Sequence, residues 1–140
     1  MSKSNGYKQS IPQPQLPKDQ KIHFSFEFYD VNREDYCISC WQKEQIKIAL
    51  SRLKEINNKT LNDMRSQRAV LHFGEVIWEE TTEKNGFNNP AIREMESFHF
   101  ALLGVNGQKT RVYGVYSANV FYIVWFDLNH IVWPSFKKHT

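Results

Sequence analysis

Phe98-His-Phe-Ala-Leu-Leu-Gly-Val105, Lys109-Thr-Arg-Val-Tyr-Gly-Val-Tyr116 and Val120-Phe-Tyr-Ile-Val-Trp-Phe-Asp127 are three consecutive runs rich in β-branched and aromatic residues. Such residues suit a pleated, packed surface. Asn106-Gly107 separates the first two runs, and this dipeptide tolerates the two positive φ values that a two-residue hairpin demands. Ser117-Ala118-Asn119 makes a second tight connection. The segment is therefore predicted to be a three-stranded antiparallel meander. Its last strand is apolar on both faces, which places it in the centre of a sheet covered on both sides, with Tyr122 and Trp125 on opposite faces.

The chain upstream supplies what packs on that sheet. Ile22 to Tyr29 alternates apolar and polar residues for most of its length, the pattern of a half-buried strand. A charged turn over Val31 to Asp35 and a short return strand over Tyr36 to Ser39 should follow. Ser39 and Gln42 have the spacing of a capping box for a helix starting near Cys40. Ile46, Ala49, Leu50, Leu53 and Ile56 then recur at helical spacing. Thr60 with Asp63 caps a second helix, to about Arg68. Gly74 to Trp78 reads as a short strand, Glu79 to Pro90 as an acidic loop, and Pro90 to Glu96 as a brief helix begun by proline. Trp41, Phe73 and Trp78 are expected core anchors. The fold class is α+β: a twisted antiparallel sheet with an N-terminal strand, two helices and the C-terminal meander.

Three of the five prolines fall in residues 1–21, among Gln, Lys and Ser. That segment reads as a flexible, Pro-rich arm, with one α+β domain over residues 22–136 and a basic tail at residues 137–140. The longest apolar run, Val120 to Phe126, is far too short to span a bilayer, so a membrane partner is excluded. The polar N-terminus lacks the apolar core of a secretory signal, and a cytoplasmic location is the expectation. The net charge of +3 is unevenly spread. Residues 43–68 are basic, residues 69–97 are acidic, and residues 98–140 are basic again. This is compatible with a polyanionic partner without being a strong signal for one.

Few residue patterns carry chemistry. Cys37-Ile-Ser-Cys40 is the only cysteine pair. Without a second pair or a neighbouring histidine it is too small for zinc, and it reads as small buried thiols at a strand-to-helix junction rather than as a redox pair. No phosphate-binding glycine loop, nucleophile elbow or metalloprotease motif is present. No metal or cofactor is expected. The informative constellation lies at the end of the meander. Arg111 and Tyr113 are two apart on one strand and share a face, and the next strand runs out through Asp127 to His130. A cation, a phenol and an imidazole can thus meet on one side of the sheet. That set suits phosphodiester cleavage, with arginine steadying phosphorane charge and histidine moving a proton. The alternative is structural: Arg111 pairs with Asp127 across the hairpin and His130 merely ends a strand.

Arg111-Val-Tyr-Gly-Val-Tyr116, the tight turn and Val120 to His130 together resemble the C-terminal hairpin of the RelE/ParE superfamily of toxin–antitoxin toxins. The resemblance covers some 30 residues closely, and more of the chain by the order of helices and strands. It implies a small α+β fold and metal-independent endoribonuclease activity, in which the RNA 2′-hydroxyl attacks its own phosphate. It implies that Arg111 stabilises the phosphate and that His130 is the terminal acid or base, with Tyr113 beside them. Lys109, Lys137 and Lys138 would bind nucleic acid. RNA, the ribosome and a cognate antitoxin or other protein are the implied partners. The chain departs from the family in its greater length, its N-terminal strand, its sparse sheet lysines and Ile131 after His130. A non-catalytic binding module of toxin-like fold, engaging a protein or nucleic acid, is the rival reading.

Overall fold

A computed structural model describes residues 20–105 and 108–134. The strands are β1 (His23–Ser25), β2 (Gly74–Glu75), β3 (Ser97–Val105), β4 (Gln108–Ser117) and β5 (Val120–Asp127), and the helices are α1 (Lys43–Ile56), α2 (Leu61–Ser66) and the single turn α3 (Arg68–Leu71). The five strands form one sheet in the order β1-β5-β4-β3-β2. The meander of β3, β4 and β5 is antiparallel, and β5 is an interior strand, between β1 and β4, with most of its residues buried. Ala118 and Asn119 connect β4 to β5 with φ of 50° and 60°, the two left-handed residues of a hairpin turn matched to strand twist. The expected Asn106-Gly107 turn lies outside the described residues, as do the proposed arm up to residue 19 and the tail; Val105 and Gln108 on either side are paired.

The sheet is mixed rather than wholly antiparallel, because β1 runs parallel to β5, with His23 beside Val120 and Ser25 beside Tyr122. The strand is also shorter than its sequence pattern. Ser25 Oγ accepts the Glu27 amide, and the Tyr29 amide returns to the Phe26 carbonyl, so the chain turns before alternation ends. The expected return strand is replaced by two 3-10 turns, Glu34–Tyr36 and Ile38–Cys40. Helix α1 starts three residues later than its capping pattern suggests, because Gln45 rather than Ser39 caps it: Gln45 Oε1 accepts the Gln42 amide at 2.8 Å. Its buried stripe is Ala49, Leu53 and Ile56, with Ile46 partly covered, while Leu50 faces solvent. Thr60 and Asp63 cap α2 reciprocally, as their spacing predicts.

Beyond Gly74–Glu75 the predicted strand gives way to a 3-10 turn at Trp78–Glu80. The segment after Pro90 forms successive turns closed by Ile92, Arg93 and Met95 amides on carbonyls three residues back, not a helix. Among the described residues, no helix is long and apolar enough to cross a membrane.

Two apolar clusters cover the sheet. One joins α1, α2 and α3 to Phe98, Phe100, Val112, Phe121, Ile123 and Phe126. The other joins Tyr36, Phe87, Ile92 and Val132 to Tyr113, Val115, Val124 and Trp125. A β-bulge decides which β5 residue belongs to which. Tyr113 pairs with Trp125 but Gly114 pairs with Ile123, leaving Val124 as the extra residue. From there the alternation shifts, so Tyr122 and Trp125 pack against the same cluster instead of on opposite faces.

Candidate anion-binding cleft

Arg111 and Tyr113 leave β4 on one face, and Asp127 ends β5 directly opposite Arg111. The chain beyond Asp127 then folds back over this end of the sheet. Both oxygens of the buried carboxylate hold that return: Oδ1 accepts the Ile131 amide at 3.0 Å and Oδ2 the Val132 amide at 2.8 Å. His130, between them and Asp127, adopts φ of 60°, a left-handed conformation that surrounding bonds must enforce on a residue with a side chain. The result is a cleft of about 480 Å³ whose lining includes Arg111, Tyr113 and His130 together. The three residues singled out from the sequence therefore line one cleft.

The cleft contains further polar residues beyond the three singled out from the sequence. His99 stands opposite Tyr113 on β3, their rings nearly parallel with centroids 5.7 Å apart. Trp133 closes on the other side of the imidazole at 5.3 Å. His72 follows α3 with φ of 54°, and Arg68 begins that helix; both line the cleft. Among the described residues, the histidines belong to no metal-holding group of three or more side chains. Glu80 is the acidic member of the lining.

Burial sets the charge of each group. His99 is pushed down to about 3, first by burial and then by the positive fields of Arg111, His130 and His72, so its imidazole is neutral at ordinary pH. Burial also lowers the affinity of Arg111 for its proton, opposed by Tyr113 and Asp127, but an arginine starts too high to lose its charge. The Tyr113 phenol is held protonated, chiefly by burial. Asp127 is raised by burial in spite of the Val132 and Ile131 amides and Arg111. Tyr113 Oη and His99 Nδ1 are buried without a hydrogen-bond partner among the described residues. A cationic centre beside neutral aromatic walls favours an anion, because low polarity strengthens its attraction to Arg111.

The structural alternative also finds support here, since Arg111 is only 9% exposed and stands against Asp127. Lys109 lies on β4, but its side chain is outside the described residues, as are Lys137 and Lys138. A register shift hid His99. Extending the Val105–Gln108 pairing without interruption would set His99 against Gly114, on the face away from Tyr113. The register shift between Ala101 and Gly104 brings it to Tyr113 instead. His72 had no sequence signal beyond following a short helix.

The cysteine pair lies apart from these lining residues and is not buried as expected: Cys37 is half-buried and Cys40 exposed. Comparison of the chain with protein-family models, with curated proteins and with solved structures found no match in any of the three.

Proposed function

We propose that the cleft binds the phosphodiester backbone of RNA and cleaves it without a metal ion, by attack of the neighbouring 2′-hydroxyl. The observation that carries this reading is the presence of Arg111, Tyr113 and His130 in the lining of one cleft. Arg111 stabilises the charge that builds on the phosphorane, and the buried Tyr113 forms part of the cleft wall beside it. His130 protonates the departing 5′-oxygen, and His72, the second histidine in a left-handed backbone position, takes the 2′-hydroxyl proton. Imidazole is the side chain best suited to both transfers near neutral pH. The RelE-like resemblance of Arg111 to His130 supports this substrate class, and with it a cytoplasmic location and action on ribosome-associated RNA under the control of a protein antagonist.

The test is cleavage of free and ribosome-bound RNA by the wild-type protein beside Arg111→Ala, His130→Ala and His72→Ala. Each variant should fold and lose at least tenfold to a hundredfold in rate, since a positioned proton donor is typically worth about 10²–10⁴. Activity should persist in EDTA. Binding without cleavage in both settings would instead favour the non-catalytic module, the reading to which the low exposure of Arg111 against Asp127 lends weight. Cleavage indifferent to all three substitutions would place the chemistry elsewhere.

A further inference from the structure

The segment from Tyr36 to Trp41 passes from one apolar cluster to the other. Tyr36 packs against Trp125 with ring centroids 4.7 Å apart and tilted by 37°, whereas Trp41 meets Phe126 edge-on at 5.6 Å in the opposite cluster. With both ends fixed, the residues between them have little freedom, and they close a 3-10 turn in which the Cys40 amide donates to the Cys37 carbonyl at 3.3 Å. Such a three-residue closure brings its end Cα atoms within about 7 Å, which overlaps the span of a disulfide. The Cys40 thiol already folds back, its Sγ donating to the Cys37 carbonyl oxygen at 3.1 Å.

Cys37 is prepared differently from its neighbour. Its Sγ accepts the Ser39 hydroxyl at 3.0 Å and the Ser39 amide at 3.5 Å. Its surroundings hold the Cys37 thiol below its usual range, led by the Ser39 hydroxyl, then Tyr29, then the Ser39 amide; partial burial and Glu34 act the other way. Tyr29 is itself fixed by the Ile38 amide, which donates to its oxygen at 3.2 Å. A sulfur that accepts both the hydroxyl and the amide of Ser39, next to an exposed second thiol, is the arrangement of an attacking and a resolving cysteine.

We infer that Cys37 and Cys40 form a reversible oxidation site that takes a hydroperoxide as its oxidant and closes to an intrachain disulfide. The Cys37 thiolate attacks the peroxide; an S–O bond forms as the O–O bond breaks, and the leaving hydroxide or alkoxide takes a proton to become water or an alcohol. The Cys40 thiolate then attacks the Cys37 sulfur, forming the S–S bond and expelling the sulfenic hydroxyl, which leaves as water with the proton from Cys40. The two thiols lose two electrons to the peroxide, and an external dithiol restores them. This site is independent of the RNA-cleaving reading.

The test treats the full chain with limiting hydrogen peroxide and follows the tryptic peptide Glu34–Lys43, which holds both cysteines. In the wild type this peptide should lose two hydrogens and regain them with dithiothreitol. Cys40→Ser should stop at a sulfenic acid on Cys37 that dimedone traps, and Cys37→Ser should stay unmodified at the same exposure. In the reduced wild type at neutral pH, iodoacetamide should label Cys37 about threefold faster than Cys40, the gain in thiolate exceeding the loss of intrinsic nucleophilicity. Ser39→Ala, which leaves both thiols in place, should remove that preference. Preferential attack at Cys40, disulfides between chains, or over-oxidation of Cys37 with Cys40 intact would each overturn the assignment.

Discussion

Arg111 and Asp127 face each other across β4 and β5, and the same carboxylate holds the amides of Ile131 and Val132. One buried acid thus offsets the charge at the centre of the cleft and fixes the turn that carries His130. Asp127→Ala should cost about 3–5 kcal/mol, because it strands two amides and a buried guanidinium at once. Asp127→Asn keeps one acceptor and should cost less. Urea unfolding of the two variants checks the order; equal losses would mean that the carboxylate is replaceable.

His99 makes stability depend on pH in a defined direction. The unfolded imidazole titrates near 6.5, whereas the folded one titrates at about 3. Between these values the unfolded chain binds the extra proton, so stability rises with pH and is lost as pH falls through the window. The slope from this group is on the order of 1.4 kcal/mol per pH unit. Unfolding free energies compared between wild type and His99→Gln isolate it, since the opposite contribution of Asp127 is common to both. Parallel curves would contradict the neutral imidazole.

Gly114 is required by close approach across the bulge. A Cβ built there would stand 2.0 Å from the Tyr122 carbonyl oxygen and 2.7 Å from Phe121 Cε1. Gly114→Ala should cost about 3 kcal/mol, since backbone rather than a mobile side chain would have to yield. A thermal scan reads the loss directly, and a near-wild-type midpoint would show that β4 and β5 can separate here.

Trp125 is fully buried, with Tyr36 at 4.7 Å, Phe87 at 4.8 Å and Trp78 at 5.9 Å, and its Nε1 donates to Asp30 at 3.3 Å. Trp125→Ala should cost about 3–5 kcal/mol, a large share of the 5–15 kcal/mol typical of a domain. Denaturant titration would show whether the aromatic cluster tolerates the gap.

Arg68 is exposed at the cleft and lies outside the sheet. On the RNA reading, Arg68→Ala should weaken binding across sequences and flatten the dependence of log affinity on log salt by about 0.7, one phosphate contact on a single strand. Affinity measured at several salt concentrations decides it. An unchanged slope would remove Arg68 from the binding surface.

The meander was legible because each strand carries its own β-forming residues and the Ala118-Asn119 turn is short. Arg111, Tyr113 and His130 were legible as a set because two share a strand face and the third follows the adjacent strand. The faces of Tyr122 and Trp125 were not, since Val124 adds one residue that no local propensity announces. His99 was hidden by the same kind of interruption on β3. The parallel pairing of β1 was also beyond reach: alternation over Ile22 to Tyr29 predicts a strand but carries no information about its neighbour or direction.

That parallel pairing also shapes how the chain folds. The turns between β3, β4 and β5 are local and cheap to close, whereas β1 meets β5 only after almost the whole described chain has been gathered. Assembly should therefore begin in the C-terminal hairpins, with β1 added late. Until it docks, β5 presents an open, strongly apolar edge, the kind of edge that recruits strands from other molecules. Capture by β1 is what protects it, so the three-residue strand His23–Ser25 guards against aggregation out of proportion to its length.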